Sequence, residues 1–165
     1  MNVVEANAAT VGRLLQLITP APDVLEQEAV RDAVQAARDQ DLPLMWAVYQ
    51  LGRDEAVFAA EWPDVFSLVE QLRMVAANWQ ADVFFGVQEA EDEALVFECD
   101  PRWLLQVAAR ELSGYGLALW RWQGDNPDLC LGFVCREEDG DLLLQCATAL
   151  EARLLRVEDE DWEAA

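Results

Sequence analysis

Hydrophobic residues fall at helical spacing over the first third of the chain and change to alternation further on, so the pattern divides the sequence into helices first and strands later. Val11, Leu14, Leu15 and Ile18 share one face of a helix within residues 1 to 19, which Pro20 and Pro22 end. Asp23 is placed to cap a second helix reaching about Asp39, with Leu25, Ala29, Val30, Ala33, Val34 and Ala37 as its stripe. A third, short helix opens at Asp41-Leu42-Pro43 and carries Leu44, Trp46, Ala47, Val48 and Leu51, with Gly52 just beyond its end. Val57 to Glu61 reads as a brief strand or an extended link. A fourth helix follows Trp62-Pro63-Asp64 and runs to about Trp79.

From Asp82 the period changes. Val83, Phe85 and Val87 alternate with their neighbours, as do Leu95, Phe97 and Cys99 beyond an acidic loop, and this predicts a hairpin. Asp100-Pro101 then starts a helix, because Asp accepts from orphan backbone donors and Pro suits the first helical position. Trp103, Leu104, Val107, Ala108 and Leu112 form its expected apolar face. Gly114 and Gly116 stop it, and two strands follow, Leu117 to Trp122 and Leu129 to Cys135, joined by the loop Gln123 to Asp128. An acidic turn at Glu137 to Asp141 leads into a helix burying Leu142, Leu143, Cys146, Ala147 and Leu150, and a short strand at Leu154 to Val157 closes the series.

The order is helices, then β-β-α-β-β-α-β. It predicts an α+β fold with a mostly antiparallel sheet. Residues 1–157 read as one domain, mainly helical over 1–80 and carrying the sheet with two helices over 81–157, and residues 158–165 read as an acidic tail. In the strand 117 to 122, Leu117 and Leu119 oppose Ala118, Trp120 and Trp122; in 129 to 135, Leu129, Leu131, Phe133 and Cys135 oppose Cys130, Gly132 and Val134. A sheet apolar on both faces requires two covers, and the N-terminal helices are the available second layer. The register across the loop is left open by the alternation.

Composition changes this picture in one respect. The 165 residues include 32 Asp and Glu against 11 cations, all Arg, for a formal net charge of -21. Such a surface repels phosphate backbones and anionic membranes and steers basic partners toward it. The start lacks the cationic and long apolar regions of a signal peptide, which predicts a cytoplasmic protein. Cys99, Cys130, Cys135 and Cys146 lie in apolar segments without paired C-x-x-C spacing and the chain has no His, so reduced, mostly buried thiols are expected and no metal or cofactor is called for.

Three groups could carry chemistry. In the loop, Asp125, Asn126 and Asp128 could meet a cation or a guanidinium, although Gly, Asn, Asp and Pro are also what a turn requires. Trp120 and Trp122 share a strand face and could wall an aromatic pocket for a cationic or planar ligand, although core packing explains large aromatic rings equally. The acidic clusters at 89–93, 137–141 and 158–163 fall in loops and the tail, where carboxylates are solvated. Ser67 and Ser113 have no His base, and no nucleophile elbow, phosphate loop or dinucleotide fingerprint occurs. A non-catalytic acidic interaction module docking a basic protein is therefore the leading expectation. A small-ligand domain using the Trp120 and Trp122 face is the alternative.

The segment Gly116-Leu117-Ala118-Leu119-Trp120 and the following Asp128-Leu129-Cys130-Leu131-Gly132-Phe133-Val134 resemble the C-terminal signature of a family of uncharacterised bacterial proteins defined only as a domain of unknown function. Leu44-Met45-Trp46-Ala47-Val48 and Phe58-Ala59-Ala60-Glu61-Trp62 are similar to that family's tryptophan-marked helix and following motif. The likeness spans residues 30 to 157. It implies a bacterial cytoplasmic α+β protein and brings no activity with it.

Overall fold

A computed structural model describes residues 2–20, 26–53, 55–87, 92–124 and 126–160. Seven helices, α1 (Val3–Leu17), α2 (Gln27–Asp39), α3 (Met45–Gly52), α4 (Val65–Asn78), α5 (Glu93–Val96), α6 (Pro101–Ser113) and α7 (Gly140–Ala149), surround four strands, β1 (Val57–Glu61), β2 (Leu117–Trp122), β3 (Leu129–Arg136) and β4 (Leu154–Arg156), among the described residues. The fold is α+β, and the sheet is antiparallel throughout its ladders, in the order β1-β3-β2-β4.

Local signals start the helices where the sequence puts them. Asn2 caps α1 by accepting from Glu5 N at 2.8 Å, and Asp64 caps α4 by accepting from Ser67 N at 3.1 Å. Asp100 accepts from Arg102 N at 2.8 Å with Pro101 in the first turn of α6. The expected cap Asp23 and stripe residue Leu25 lie outside the described residues; α2 begins after Glu26, whose side chain makes no capping bond.

The sheet is apolar on both faces and covered on both. On one face Val57, Ala118, Trp120, Trp122, Leu131, Phe133 and Cys135 pack into a core with α1, α2, α3 and α7. On the other, Phe58, Ala60, Leu117, Leu119, Cys130 and Val134 pack against α4 and α6. The register pairs Trp120 with Phe133 and Phe58 with Gly132. Gly132 leaves a gap between Cys130 and Val134 on that central strand's second face, and the Phe58 ring fills it: a Cβ there would lie 2.5 Å from Phe58 Cζ and 2.1 Å from the Trp120 carbonyl oxygen.

Two expectations are corrected. The predicted hairpin over 83–99 does not form. Val83 to Val87 is irregular, with Phe85 at φ 53° and Gly86 at φ 77°, and Glu93–Val96 is the short helix α5. Helix side chains, not a partner strand, satisfy that backbone: Phe84 N and Phe85 N donate to the Glu111 carboxylate at 3.0 and 2.8 Å, and Arg73 Nε donates to the Val83 carbonyl at 3.3 Å. The strand that replaces it in the sheet is Val57–Glu61. The apolar face of α6 is also turned by about one position: Leu104, Leu105, Ala108, Ala109 and Leu112 are buried, whereas Trp103 is 45% exposed. Small Ala109 lets the helix approach the sheet, a fit that the bulky Trp103 does not offer.

The C-terminal segment docks before its last described residue. Val157–Asp159 forms a 3-10 turn, and Glu160 receives the Arg121 guanidinium at 2.5 and 3.4 Å, with both side chains close to 90% buried. The Arg121 guanidinium lies 5.5 Å from the centroid of the Trp62 ring. Residues 161–165 of the expected tail lie outside the described residues.

Gly132→Ala forces its Cβ into backbone and aromatic carbon that have no room to retreat, and lowers stability by about 3 kcal/mol in urea unfolding. Gly12→Ala, whose Cβ meets nothing within 4 Å in the middle of α1, raises it by about 0.5–1 kcal/mol in the same measurement. Equal effects of the two changes would refute the packing account.

Candidate functional site

The concave surface richest in mixed chemistry runs beside β1. Trp46 and Tyr49, spaced i, i+3 on α3, stand over one side. Ala59, Ala60 and Glu61 of β1, Leu129 and Leu131 of β3, and Asp64 and Ser67 at the start of α4 complete an open groove of about 370 Å³. Trp46 meets Tyr49 edge-on at 5.3 Å between centroids, and Trp122 edge-on at 5.5 Å. The groove therefore has a fixed aromatic wall propped from inside by Trp122.

Its polar side is acidic. Asp64 accepts from Ser67 N at 3.1 Å and from Ser67 Oγ at 2.8 Å, and these bonds hold its carboxyl below the usual carboxylate range. Glu61 ends the β1 ladder opposite Leu129 and is exposed. An aromatic wall facing carboxylates suits a guanidinium or an ammonium, by ring quadrupole and charge together.

The site residues named from sequence divide between this groove and the core. Trp120 and Trp122 are each only 5% exposed and lie within the core on the α1, α3 and α7 side. The space beside Trp122, bounded by Met45, Tyr49 and Phe133 among others, is about 10 Å³, room for no more than a water. The Trp120 ring extends toward the start of α7, where a Cβ on Gly140 would meet it at 3.5 Å. Its Nε1 makes no hydrogen bond of ordinary geometry. Asn126 and Asp128 are exposed and form a tight turn, Asp128 N donating to Asn126 Oδ1 at 3.0 Å, while Trp62 N donates to the Asp128 carbonyl at 3.0 Å. That bond sets the loop at the Glu61 end of the groove. Asp125 lies outside the described residues. The structure thus brings Asn126 and Asp128 near Glu61 and leaves Trp120 in the interior. Tyr49, Glu61 and Asp64 are the groove residues that the sequence pattern does not single out; the one available signal is the helical spacing of Trp46 and Tyr49.

A second, shallower groove of about 520 Å³ is lined by Trp79, Tyr115, Gly116, Leu117 and Arg136 to Glu138. The Arg136 guanidinium already lies over the Trp79 ring at 5.1 Å, so the cation that such an aromatic would attract is supplied by the chain. Among the described residues no group of three or more Cys, Asp and Glu is placed to hold a metal ion, and no helix is long and apolar enough to cross a membrane.

The thiols are unpaired, with Cys130, Cys135 and Cys146 buried and Cys99 partly so. Burial pushes Cys130 and Cys135 up to about 12; for Cys130 the Arg121 guanidinium opposes this, and for Cys135 the nearby Trp120 indole does. Neither is a nucleophile near neutrality.

An antiparallel sheet enclosed between two helical layers, with an open aromatic groove along one edge strand, defines a small acidic α+β domain. The chain belongs to the family described as Domain of unknown function (DUF6630), whose sequence model matches residues 10–158. No curated protein and no solved structure matches it.

The thiols make stability depend on alkaline pH. Unfolded thiols ionise near 9 and the buried pair near 12, so the folded chain retains protons that the unfolded chain has released. The stabilisation present below about pH 9 is lost as pH rises toward about 12, at about 1.4 kcal/mol per pH unit for each thiol. Cys135→Ala makes this slope in urea unfolding shallower by about one thiol's share; an unchanged slope refutes it.

Proposed function

We propose that this DUF6630 chain is a non-catalytic interaction module whose acidic exterior docks a basic protein partner. The observation that carries the reading is where the charge lies: the net charge is -21, no charged residue is fully buried among the described residues, and the largely buried Glu160 is paired with Arg121. The excess charge of the described residues therefore faces solvent, where it raises the local concentration of cationic partners and speeds their encounter.

The groove beside β1 supports the same reading, because Trp46 and Tyr49 opposite Glu61 and Asp64 match the side chain of an Arg or Lys. Noncatalytic character is supported by the environment of the hydroxyl candidates: Ser67 donates to its own capping Asp64, and Ser113 donates to the Arg110 carbonyl at 2.6 Å. The reading extends to a bacterial cytoplasmic setting, in keeping with four cysteines that remain free.

A pull-down with the full chain tests this reading. At about 0.05 M salt, where charges act over more than 10 Å, a basic protein is retained; at about 0.5 M it is released. Absence of any bound protein at low salt, or binding indifferent to salt, overturns the proposal.

A further inference from the structure

Several large apolar side chains are left outside both cores where α4, α5 and α6 meet. Phe66, in the first turn of α4, is 56% exposed, as is Leu95 of α5, and Trp103 in the first turn of α6 is 45% exposed. The Phe66 ring meets Phe97 at 5.4 Å between centroids, tilted by 32°. The neighbouring Val96 is buried and anchors the corner from within, while the ion pair of Arg73 with Glu93 ties α5 to α4. Single exposed hydrophobics are ordinary; an aromatic pair with further apolar side chains on the same corner marks a contact surface.

The rim is predominantly acidic. Segments 64–70 and 92–100, which meet through Phe66 and Phe97, contain Asp64, Glu70, Asp92, Glu93, Glu98 and Asp100, against Arg73, which pairs with Glu93, and Arg102 beside Trp103. This decides between occupants. A second copy would set the same carboxylates against themselves and a charge of -21 against -21, and an anionic lipid surface is repelled for the same reason. The corner is also built from helix ends, with the sheet's edges at β1 and β4, so a partner cannot bind here by extending a strand ladder and must anchor through side chains.

We propose that the α4–α5–α6 corner, centred on Phe66 and Phe97 and bearing Leu95 and Trp103, docks a basic amphipathic helix of a partner protein. Apolar anchors at helical spacing sit on the aromatic centre and flanking Lys or Arg residues meet the carboxylate rim. This rests on the acidic-docking reading above and narrows it to one surface and one partner chemistry.

Synthetic peptides titrated against the full chain test it. One carries Leu at helical period among Lys residues, a second has the same composition with the Leu residues scattered around the helix, and a third replaces Lys by Glu. The first is expected to bind, the second on the order of tenfold more weakly, and the third not to bind. Phe66→Ser with Leu95→Ser weakens the first peptide on the order of tenfold, and Trp103→Ser on its own also weakens it. Leu144→Ser, at an exposed Leu of α7 on the opposite side of the sheet, leaves binding unchanged. Circular dichroism checks that each variant is folded. Should the double variant bind like the wild-type chain with salt dependence intact, the corner is overturned while acidic docking stands; equal weakening by Leu144→Ser overturns the corner too. If the Leu/Lys peptide fails to bind even at low salt, both readings fall together.

Discussion

The close approach of Phe58 to Gly132 is the contact on which the arrangement turns. β3 lies between β1 and β2, so its side chains from Cys130 to Cys135 meet a helical layer on either face and are buried. Its even positions, Cys130, Gly132 and Val134, are small, and the gap at Gly132 admits the Phe58 ring from the neighbouring strand. This lets α4 come down over β1, and α4 in turn closes the open side of the strand: Ala59 N finds the Gln71 side chain at 3.3 Å instead of another chain. One missing Cβ thus links the register, the seating of α4 and the protection of an edge.

Electrostatics divides along the same layers. The interior holds thiols whose protons burial retains, and no carboxylate among the described residues is fully buried. The exception near the surface is Arg121, which points from the central region of the sheet to Glu160 and the Trp62 ring and fastens the end of the chain across β2. Because so few cations are present, those that have anionic partners serve structure: Arg73 ties α5 to α4, and Arg156 meets Glu137 and Glu158. The negative exterior is what remains after these local needs are met.

The segment between α4 and α6 shows why a strand pattern need not give a strand. Val83, Phe85 and Val87 alternate as they should, yet Glu111 and Arg73 supply the hydrogen bonds that a neighbouring strand would have supplied. Once helix side chains satisfy the backbone, nothing holds Phe85 in an extended conformation, and it turns to positive φ with its ring buried.

The amino-acid sequence by itself determined the helices of the first third, the cap at Asp100, the limits of β2 and the two-faced apolar character of β2 and β3 that requires helices on both sides. These follow from periodicity and capping, which act over a few neighbouring residues. Only the tertiary structure decided that Val57–Glu61 is the strand beside β3, that Trp103 faces out while Leu105 and Ala109 face in, and that Trp120 and Trp122 are core while Trp46 and Tyr49 wall the groove. Each of these depends on which distant side chain fills a space or meets a backbone group first, and alternation along the chain is the same whichever partner arrives.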